Sequence, residues 1–268
     1  MEKIFLISGR KQHGKDAVAK LIKYLVIKNR IRLLSKESQV NLATIESISN
    51  KNIKLMDEII QNDCNTYNQR SINKPIYILG QETTTRLIDK TLDLIGHSDW
   101  LQVQFSTPLK KIVCSLTGCS LQELEDGDFK ASKSLIKNNA GEYLTYRELL
   151  QYIGTDLFRD QINSDIWVES YYSSRREQIF ADSHNKTIIS DWRFPNEEIY
   201  LKNQLKIEVI TIKVVNPHIF TPPNEHFSEK ALDHYSNENY DFVISNYGDL
   251  NALIYQIKAM LVKLKIIA

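Results

Sequence analysis

The stretch IFLISGRKQHGKDAVAKLI, residues 4–22, places an apolar strand before a loop and a helix pattern after it. The loop carries Gly9 and Gly14, and Lys15 follows the second glycine. Glycines at both ends let backbone N–H groups curl around phosphates, while the lysine and the helix N-terminus add positive charge. The order strand, loop and helix therefore predicts a phosphate-binding loop (P-loop) for a nucleoside triphosphate.

Asp16 stands where such loops normally carry Ser or Thr. A carboxylate beside a triphosphate is repelled unless Mg²⁺ joins the two, directly or through water. Alternatively, the acid only complements the positive end of the helix dipole. Arg10 and Lys11 are either further phosphate contacts or solvated charges, and His13 is expected to be an exposed loop residue rather than a catalyst.

Composition excludes several classes of protein. The 268 residues include 34 Lys and Arg against 33 Asp and Glu, so no overall basic field draws the chain to nucleic acid or a membrane surface. The three cysteines, Cys64, Cys114 and Cys119, lack metal-ligand spacing and are expected to be reduced thiols. The apolar N-terminus is too short for a signal sequence. The prediction is a soluble cytoplasmic protein.

Apolar strands alternate with helical patterns along most of the chain, which predicts an α/β fold of the P-loop NTPase type. We expect one domain over residues 1–268, with a parallel sheet covered by helices on both faces. Polar clusters after strands ending near residues 8, 190 and 245 should meet at one sheet edge. Residues 30–98 are predicted to form a mostly helical or irregular insertion, with short helices at 53–61 and 82–95. The polar segment 120–142 is predicted to be a mobile lid.

Two further groups of residues are candidates for a site. Arg147, Gln151 and Thr155 recur at four-residue spacing, so one helix face could grip a second anion or form a surface ion-pair strip. Asp191 and Arg193 follow a strand, where an acid could hold metal and an arginine could neutralise a transferring phosphoryl group. An ordinary ion pair is the simpler alternative for the second group.

Six segments, in this order, resemble the successive motifs of the bacteriophage-type deoxynucleoside monophosphate kinases. They are FLISGRKQHGKDAVA, FSTPLKKIV, YRELLQYIGTDLFRD, SDWRFPNE, HFSEKAL and DFVISNYGDLNALI. The resemblance covers residues 3–28 and most of 101–265, and the family also has Asp after the P-loop lysine. It implies transfer of the γ-phosphoryl group of ATP, with Mg²⁺, to a deoxynucleoside 5′-monophosphate.

The resemblance also implies roles for individual residues. Gly9 to Asp16 would bind the ATP phosphates, and Asn246 would approach adenine. The monophosphate would meet Lys110, Lys130, Arg147, Gly154, Thr155 and Trp167, with Trp167 near the base or sugar. Asp191, Arg193 and Glu197 fall in the nucleotide-contacting loop, and the acids Asp16 and Asp191 are the candidates for holding Mg²⁺.

Two departures and two rival functions stay open from sequence alone. Ala17 replaces the usual Thr after Asp16, and Trp192 is bulkier than the residue expected between Asp191 and Arg193. The P-loop does not choose the acceptor, so a kinase of another small phosphate ester is one rival. A nucleotide-binding regulatory module without transfer activity is the other. A homodimer is possible, as is a host-cytoplasmic location if the chain is viral.

Overall fold

The computed structural model describes residues 3–34, 51–52, 54–58, 100–181, 186–219, 225–247 and 250–268. The strands in these ranges are β1 (Lys3–Ser8), β2 (Trp100–Val103), β3 (Lys133–Lys137), β4 (Tyr143–Thr145), β5 (Lys186–Ile189), β6 (Glu208–Val215) and β7 (Phe242–Ser245). The α-helices are α1 (Lys15–Leu34), α2 (Thr107–Thr117), α3 (Gly127–Ala131), α4 (Tyr146–Gln151), α5 (Ile166–Ala181), α6 (Pro195–Ile199), α7 (Phe227–Lys230) and α8 (Leu250–Lys263). Two π-helical segments, Tyr152–Arg159 and Tyr200–Gln204, continue α4 and α6.

The main sheet has the strand order β2-β5-β1-β6-β7, and all its pairings are parallel. The central strand β1 lies between β5 and β6, so that Leu6 pairs with Ile189 on one side and Thr211 on the other. Because parallel strands end at the same edge, residues 9, 190 and 246 all leave the sheet on the side of the P-loop. The predicted α/β fold with a parallel sheet is confirmed.

Both faces of the sheet are covered, which explains why β1 reads as a continuous apolar run. Phe5 and Ile7 belong to a core shared with α1 and α8. Ile4 and Leu6 belong to a second core shared with α2, α5 and the Tyr152–Arg159 segment. All four side chains are fully buried. The P-loop therefore follows a strand that cannot shift without disturbing two cores.

Two boundaries differ from the sequence prediction. Helix α1 continues to Leu34, so residues 30–34 belong to the helix and not to the insertion. Residues 54–58 are helical, whereas the rest of the predicted helix at 53–61 and all of that at 82–95 lie outside the described residues. Among the described helices, none combines the length and apolar character needed to cross a membrane.

The segment 120–142, predicted to be a mobile lid, has regular secondary structure. It contains a 3₁₀ turn at Glu123–Glu125, helix α3 and strand β3. Strand β3 pairs antiparallel with β4 in a two-stranded sheet apart from the main one. Asp126 caps α3 by accepting the Phe129 N–H at 2.7 Å. Its role as a mobile lid stays a prediction.

Cys114 and Cys119 are free, with their sulfur atoms 3.9 Å apart. This agrees with the expectation of reduced thiols for the two cysteines that the structure describes. Cys64 lies outside the described residues.

The helical segment that begins with α4 continues past Gly154 and Thr155 to Arg159 as a π-helix. Gly154 is buried, and a Cβ atom at this position would lie 2.6 Å from Leu109 Cδ2 of α2. The missing side chain therefore allows the close approach of this segment to α2. The glycine marks a packing contact and not a helix end.

We expect Gly154→Ala to lower the free energy of unfolding by about 1–3 kcal/mol, because a methyl group placed against Leu109 overpacks the contact. Urea denaturation measures the change. Gly127→Ala is the matched control, since a Cβ there meets no atom within 4 Å. Equal stability of the Gly154→Ala and Gly127→Ala variants would contradict this account of the packing.

Candidate active site

The P-loop connects β1 to α1, and its two glycines occupy conformations that other residues rarely adopt. Gly9 has φ +151° and Gly14 has φ +94°. A Cβ on Gly9 would lie 2.5 Å from the Val214 carbonyl oxygen, and a Cβ on Gly14 would lie 2.3 Å from Asn246 Nδ2. Glycine is thus required at both ends of the loop by backbone conformation and by space.

Lys15 reaches back over this loop. Its Nζ donates to the carbonyl oxygens of Gly9 at 2.6 Å and Arg10 at 3.0 Å. Burial lowers the pKa of Lys15, and the nearby Arg193 guanidinium lowers it further, while Glu229 and the carboxylates of Asp16 and Asp191 oppose both effects. One ammonium group is therefore close to the charged residues of three separate segments.

Asp16, at the start of α1, is exposed and accepts a 2.6 Å hydrogen bond from the Ser190 hydroxyl through Oδ1. Ser190 follows β5 and is buried. Its bond fixes the direction of the Asp16 carboxylate toward the sheet edge. One exposed carboxylate beside a triphosphate loop fits Mg²⁺, which usually binds one or two protein carboxylates and takes its other ligands from phosphates and water.

Asp191 has a different environment from the metal ligand that the sequence predicted. Its Oδ1 and Oδ2 accept the backbone N–H groups of Phe105 and Ser106, each at 2.9 Å. These donors lie at the N-terminal end of α2, where backbone N–H groups lack partners within the helix. Asp191 therefore holds α2 against the end of β5. Across the described residues, no group of three or more His, Cys, Asp or Glu side chains is arranged to hold a metal ion.

Arg193 lies two residues further along this loop. Its Nη1 pairs with Glu229 Oε1 from α7. The Arg193 side chain is 38% exposed and that of Glu229 is 11% exposed. Burial alone would lower the pKa of Arg193, but the Glu229 carboxylate raises it overall. Burial alone would raise the pKa of Glu229, but the Arg193 guanidinium lowers it overall. Both groups are therefore charged near neutral pH.

Glu197, predicted as a substrate contact, is only 3% exposed and lies behind the loop. Its Oε2 accepts the backbone N–H groups of Arg193 and Phe194, each at 3.1 Å. Arg159 approaches its other oxygen at 3.6 Å and stacks on the Phe194 ring. Burial raises the pKa of Glu197 to about 7. Glu197 thus supports the backbone at Arg193, and its role as a substrate contact stays a prediction.

A second group of cations comes from α2, α3 and α4. Lys110 is buried and binds Glu125 Oε1 at 2.6 Å as well as the Gln104 side chain. Burial lowers the pKa of Lys130 to about 8, and the charges of Lys110 and Arg147 contribute. The three predicted basic residues Lys110, Lys130 and Arg147 are therefore near neighbours, with Glu125 as a partial counter-charge.

The predicted helix face of Arg147, Gln151 and Thr155 is interrupted by the change to π-helix after Gln151. Arg147 and Gln151 are half-buried, whereas Thr155 is 6% exposed. Trp167, predicted near the base or sugar, is 7% exposed and packs in the core. Its Nε1 donates to the Gly154 carbonyl oxygen at 2.9 Å. It supports the π-helix from inside, which explains its position without a ligand.

The remaining P-loop residues contact protein partners. Arg10 pairs with Glu225 at 2.9 Å and Asp233 at 2.5 Å. Lys11 is exposed at the surface of the loop, and after burial the Arg147 charge is the main cause that lowers its pKa. The two groups of cations are thus in electrostatic contact through Lys11 and Arg147.

His13 is 8% exposed, which corrects the prediction of an exposed loop residue. Its Nδ1 lies 3.3 Å from the Val214 carbonyl oxygen and from the Asn216 nitrogen. Burial lowers the pKa of His13, so the ring is neutral at physiological pH. Asn246, predicted to approach adenine, is 6% exposed and donates from Nδ2 to the His13 carbonyl oxygen at 2.9 Å. Both side chains brace the P-loop.

A cavity of about 240 Å³ opens beside the P-loop. Its walls include Gly9, Lys15, Arg193, Lys213 and Glu229. Trp192 closes one side; it is 1% exposed and contacts the Tyr235 ring edge-on and the Tyr240 ring at a tilt. The bulky Trp192 thus belongs to the core under the site, and cationic side chains face the space above it.

Two contributors were missed by the sequence prediction. Ser190 orients Asp16, and Glu229 pairs with Arg193. Apart from its place after a strand, nothing in the local sequence indicated that Ser190 belongs to the site. Glu229 lies in HFSEKAL, one of the six motifs, but the spacing of that motif does not indicate that its acid meets a residue 36 positions earlier.

Comparison with known proteins places these features in a family. Residues 3–257 match a model of the family described as "Deoxynucleotide monophosphate kinase". A protein named "Putative deoxynucleotide monophosphate kinase" from Acanthamoeba polyphaga mimivirus is 28% identical over 173 residues, which is 61% of this chain and 84% of that protein. The "Deoxynucleoside-5'-monophosphate kinase" of Escherichia phage T5 is 31% identical over 93 residues, covering 34% of this chain and 36% of the phage protein.

The match extends from the first residue of β1 into α8 and thus includes the P-loop, the Asp191 to Glu197 loop and both groups of cations. This chain belongs to the deoxynucleotide monophosphate kinase family.

Proposed function

We propose that this chain transfers the γ-phosphoryl group of ATP to a deoxynucleoside 5′-monophosphate, giving ADP and a deoxynucleoside diphosphate. The observation that carries the proposal is the convergence of two groups of cations at one sheet edge. Lys15 and Arg193 share the cavity beside the P-loop. Lys110, Lys130 and Arg147 form the neighbouring group. A kinase that joins two phosphates needs two such groups, whereas a module that only binds ATP needs one.

The donor side is the P-loop. Its backbone N–H groups and Lys15 would bind the β- and γ-phosphates, with the N-terminus of α1 adding positive charge. Lys15 Nζ now donates to Gly9 and Arg10 carbonyl oxygens, so it would exchange these partners for phosphate oxygens. Asp16 would hold Mg²⁺, which when bound neutralises charge on the β- and γ-phosphates. Asp191 stays a candidate for a second metal contact, because each of its oxygens has a lone pair beyond the backbone N–H group that it accepts.

On the acceptor side, Lys110, Lys130 and Arg147 would bind the monophosphate. Phosphoryl transfer requires in-line placement of two anions and neutralisation of the charge between them. Arg193, which lines the cavity beside the P-loop with Lys15, would stabilise the transferring group in the transition state. No general base is needed, since the acceptor phosphate is already ionised near neutral pH.

The first experiment measures ADP formed from Mg-ATP with each deoxynucleoside and nucleoside monophosphate in turn, and without acceptor. ADP that depends on a deoxynucleotide supports the proposal and reveals the base range. Equal ADP without acceptor would indicate an ATPase instead. Binding of ATP with no ADP under any condition would favour another phosphate ester as acceptor, or a regulatory module.

Lys15→Ala should lower kcat by about 10²–10³-fold, because one preorganised donor to the transferring group is removed. Steady-state kinetics at saturating acceptor measure this loss. Lys258→Ala is the control, since Lys258 is an exposed cation on α8. Wild-type turnover by Lys15→Ala would refute the assignment of the P-loop.

Arg147→Ala should raise KM for the acceptor about 10- to 100-fold and leave KM for ATP nearly unchanged, because a charged contact to phosphate contributes about 1.5–3 kcal/mol. Varying each substrate at saturation of the other separates the two constants. An unchanged acceptor KM would remove Arg147 from the proposed site.

The acceptor kcat/KM should fall as pH rises through about 8, the pKa of Lys130. Lys130 carries its charge below this pH and loses it above, whereas the acceptor phosphate, with a pKa of about 6, stays ionised throughout. Lys130→Arg keeps the charge and should shift the fall to higher pH. Identical pH profiles for wild type and Lys130→Arg would show that Lys130 does not bind the acceptor.

A further inference from the structure

Glu229 is a nearly buried carboxylate at the centre of the cationic site. Its Oε1 pairs with Arg193 Nη1, and the charges of Lys15 and Arg147 also lower its pKa. A carboxylate in this position reduces the net positive charge available to phosphates, which is unfavourable for a site that binds two anions. Its presence is explained if it does something else for the cations around it.

The segment that carries Glu229 is fixed at several points. We name residues 225–233 the strap. Its first and last residues, Glu225 and Asp233, both pair with Arg10 of the P-loop, at 2.9 Å and 2.5 Å. Next to α7, His226 Nε2 lies 3.4 Å from Asp156 Oδ1 of the π-helical segment. The strap thus joins the P-loop to the segment that packs beside α2, and Glu229 lies between these attachments.

Arg193 receives two separate supports. Glu197 holds the backbone of residues 193 and 194 from behind. Glu229 holds the guanidinium from the opposite side. An arginine side chain that is 38% exposed would otherwise sample several rotamers. Only one of its five N–H donors is needed for the Glu229 contact, so the others stay available for phosphate oxygens.

We propose that Glu229 is a positioning residue that holds the Arg193 guanidinium in the orientation needed for phosphoryl transfer. The inference rests on the proposed function. Because the strap is attached to Arg10, the position of Glu229 depends on the P-loop. The orientation of the transfer arginine is thereby tied to the loop that binds the donor nucleotide.

A double-mutant cycle on kcat tests the inference with four enzymes: wild type, Glu229→Ala, Arg193→Ala and the double variant. A misplaced catalytic group costs about 10²-fold, so Glu229→Ala should lower kcat by this factor with KM for ATP nearly unchanged. In the Arg193→Ala background, Glu229→Ala should not lower kcat further, because the guanidinium through which Glu229 acts is absent.

Glu229→Gln covers the case in which Glu229→Ala fails to fold. It keeps the side-chain shape and an acceptor oxygen but loses the charge, so we expect about a 10-fold loss in kcat. Its cycle with Arg193→Ala should be equally non-additive. Glu238→Ala, an exposed carboxylate beyond the strap, is the matched control and should keep wild-type kcat.

The outcomes separate the two proposals. A wild type that transfers phosphate to no acceptor refutes the proposed function, and this inference with it. An active wild type whose Glu229 variants lose equal activity with and without Arg193 refutes the inference alone, because Glu229 would then act by another route. Unchanged kcat in both Glu229 variants would refute it as well.

Discussion

Ser190 and Asp191, the two residues that follow β5, bind the starts of two helices of the candidate site. Ser190 donates to Asp16 at the start of α1, and Asp191 accepts two N–H groups at the start of α2. Because β5 lies beside β1, these bonds fix the helix that follows the P-loop and the helix that carries Lys110 relative to one strand end. The placement of α1 relative to α2 at this edge of the sheet therefore depends on two side chains one peptide apart.

Carboxylates in this site support cations rather than compete with phosphates. Glu125 binds Lys110, Glu229 binds Arg193, and Glu197 holds the Arg193 backbone. The two ion pairs restrict the rotamers of Lys110 and Arg193, and the Glu197 bond restricts the backbone at Arg193. Preorganisation of this kind is what phosphoryl transfer requires, since the protein contributes placement and charge and little covalent chemistry.

The sequence predicted the parallel sheet and the P-loop because strand periodicity, glycine conformation and the order of elements are local properties. Lys15 and Arg193 were selected as site candidates in the same way, each by its place after a strand. The protein contacts of Asp191, Glu197, Trp167 and Asn246 could not be predicted, since their partners lie far away in the chain or are backbone groups. A polar residue in the right loop can bind a ligand or support its neighbours, and only its burial and bonding decide between the two.

Successive side chains of β1 point to opposite faces of the sheet, and this has a consequence for how the enzyme can diversify. Phe5 and Ile7 join the core of α1 and α8, whereas Ile4 and Leu6 join the core of α2, α5 and the π-helical segment. The helix that follows the P-loop and the helix that carries Lys110 are thus anchored on opposite faces of one sheet. Substitutions that repack the second core can therefore move Lys110 while the packing of α1 behind the P-loop is inherited unchanged.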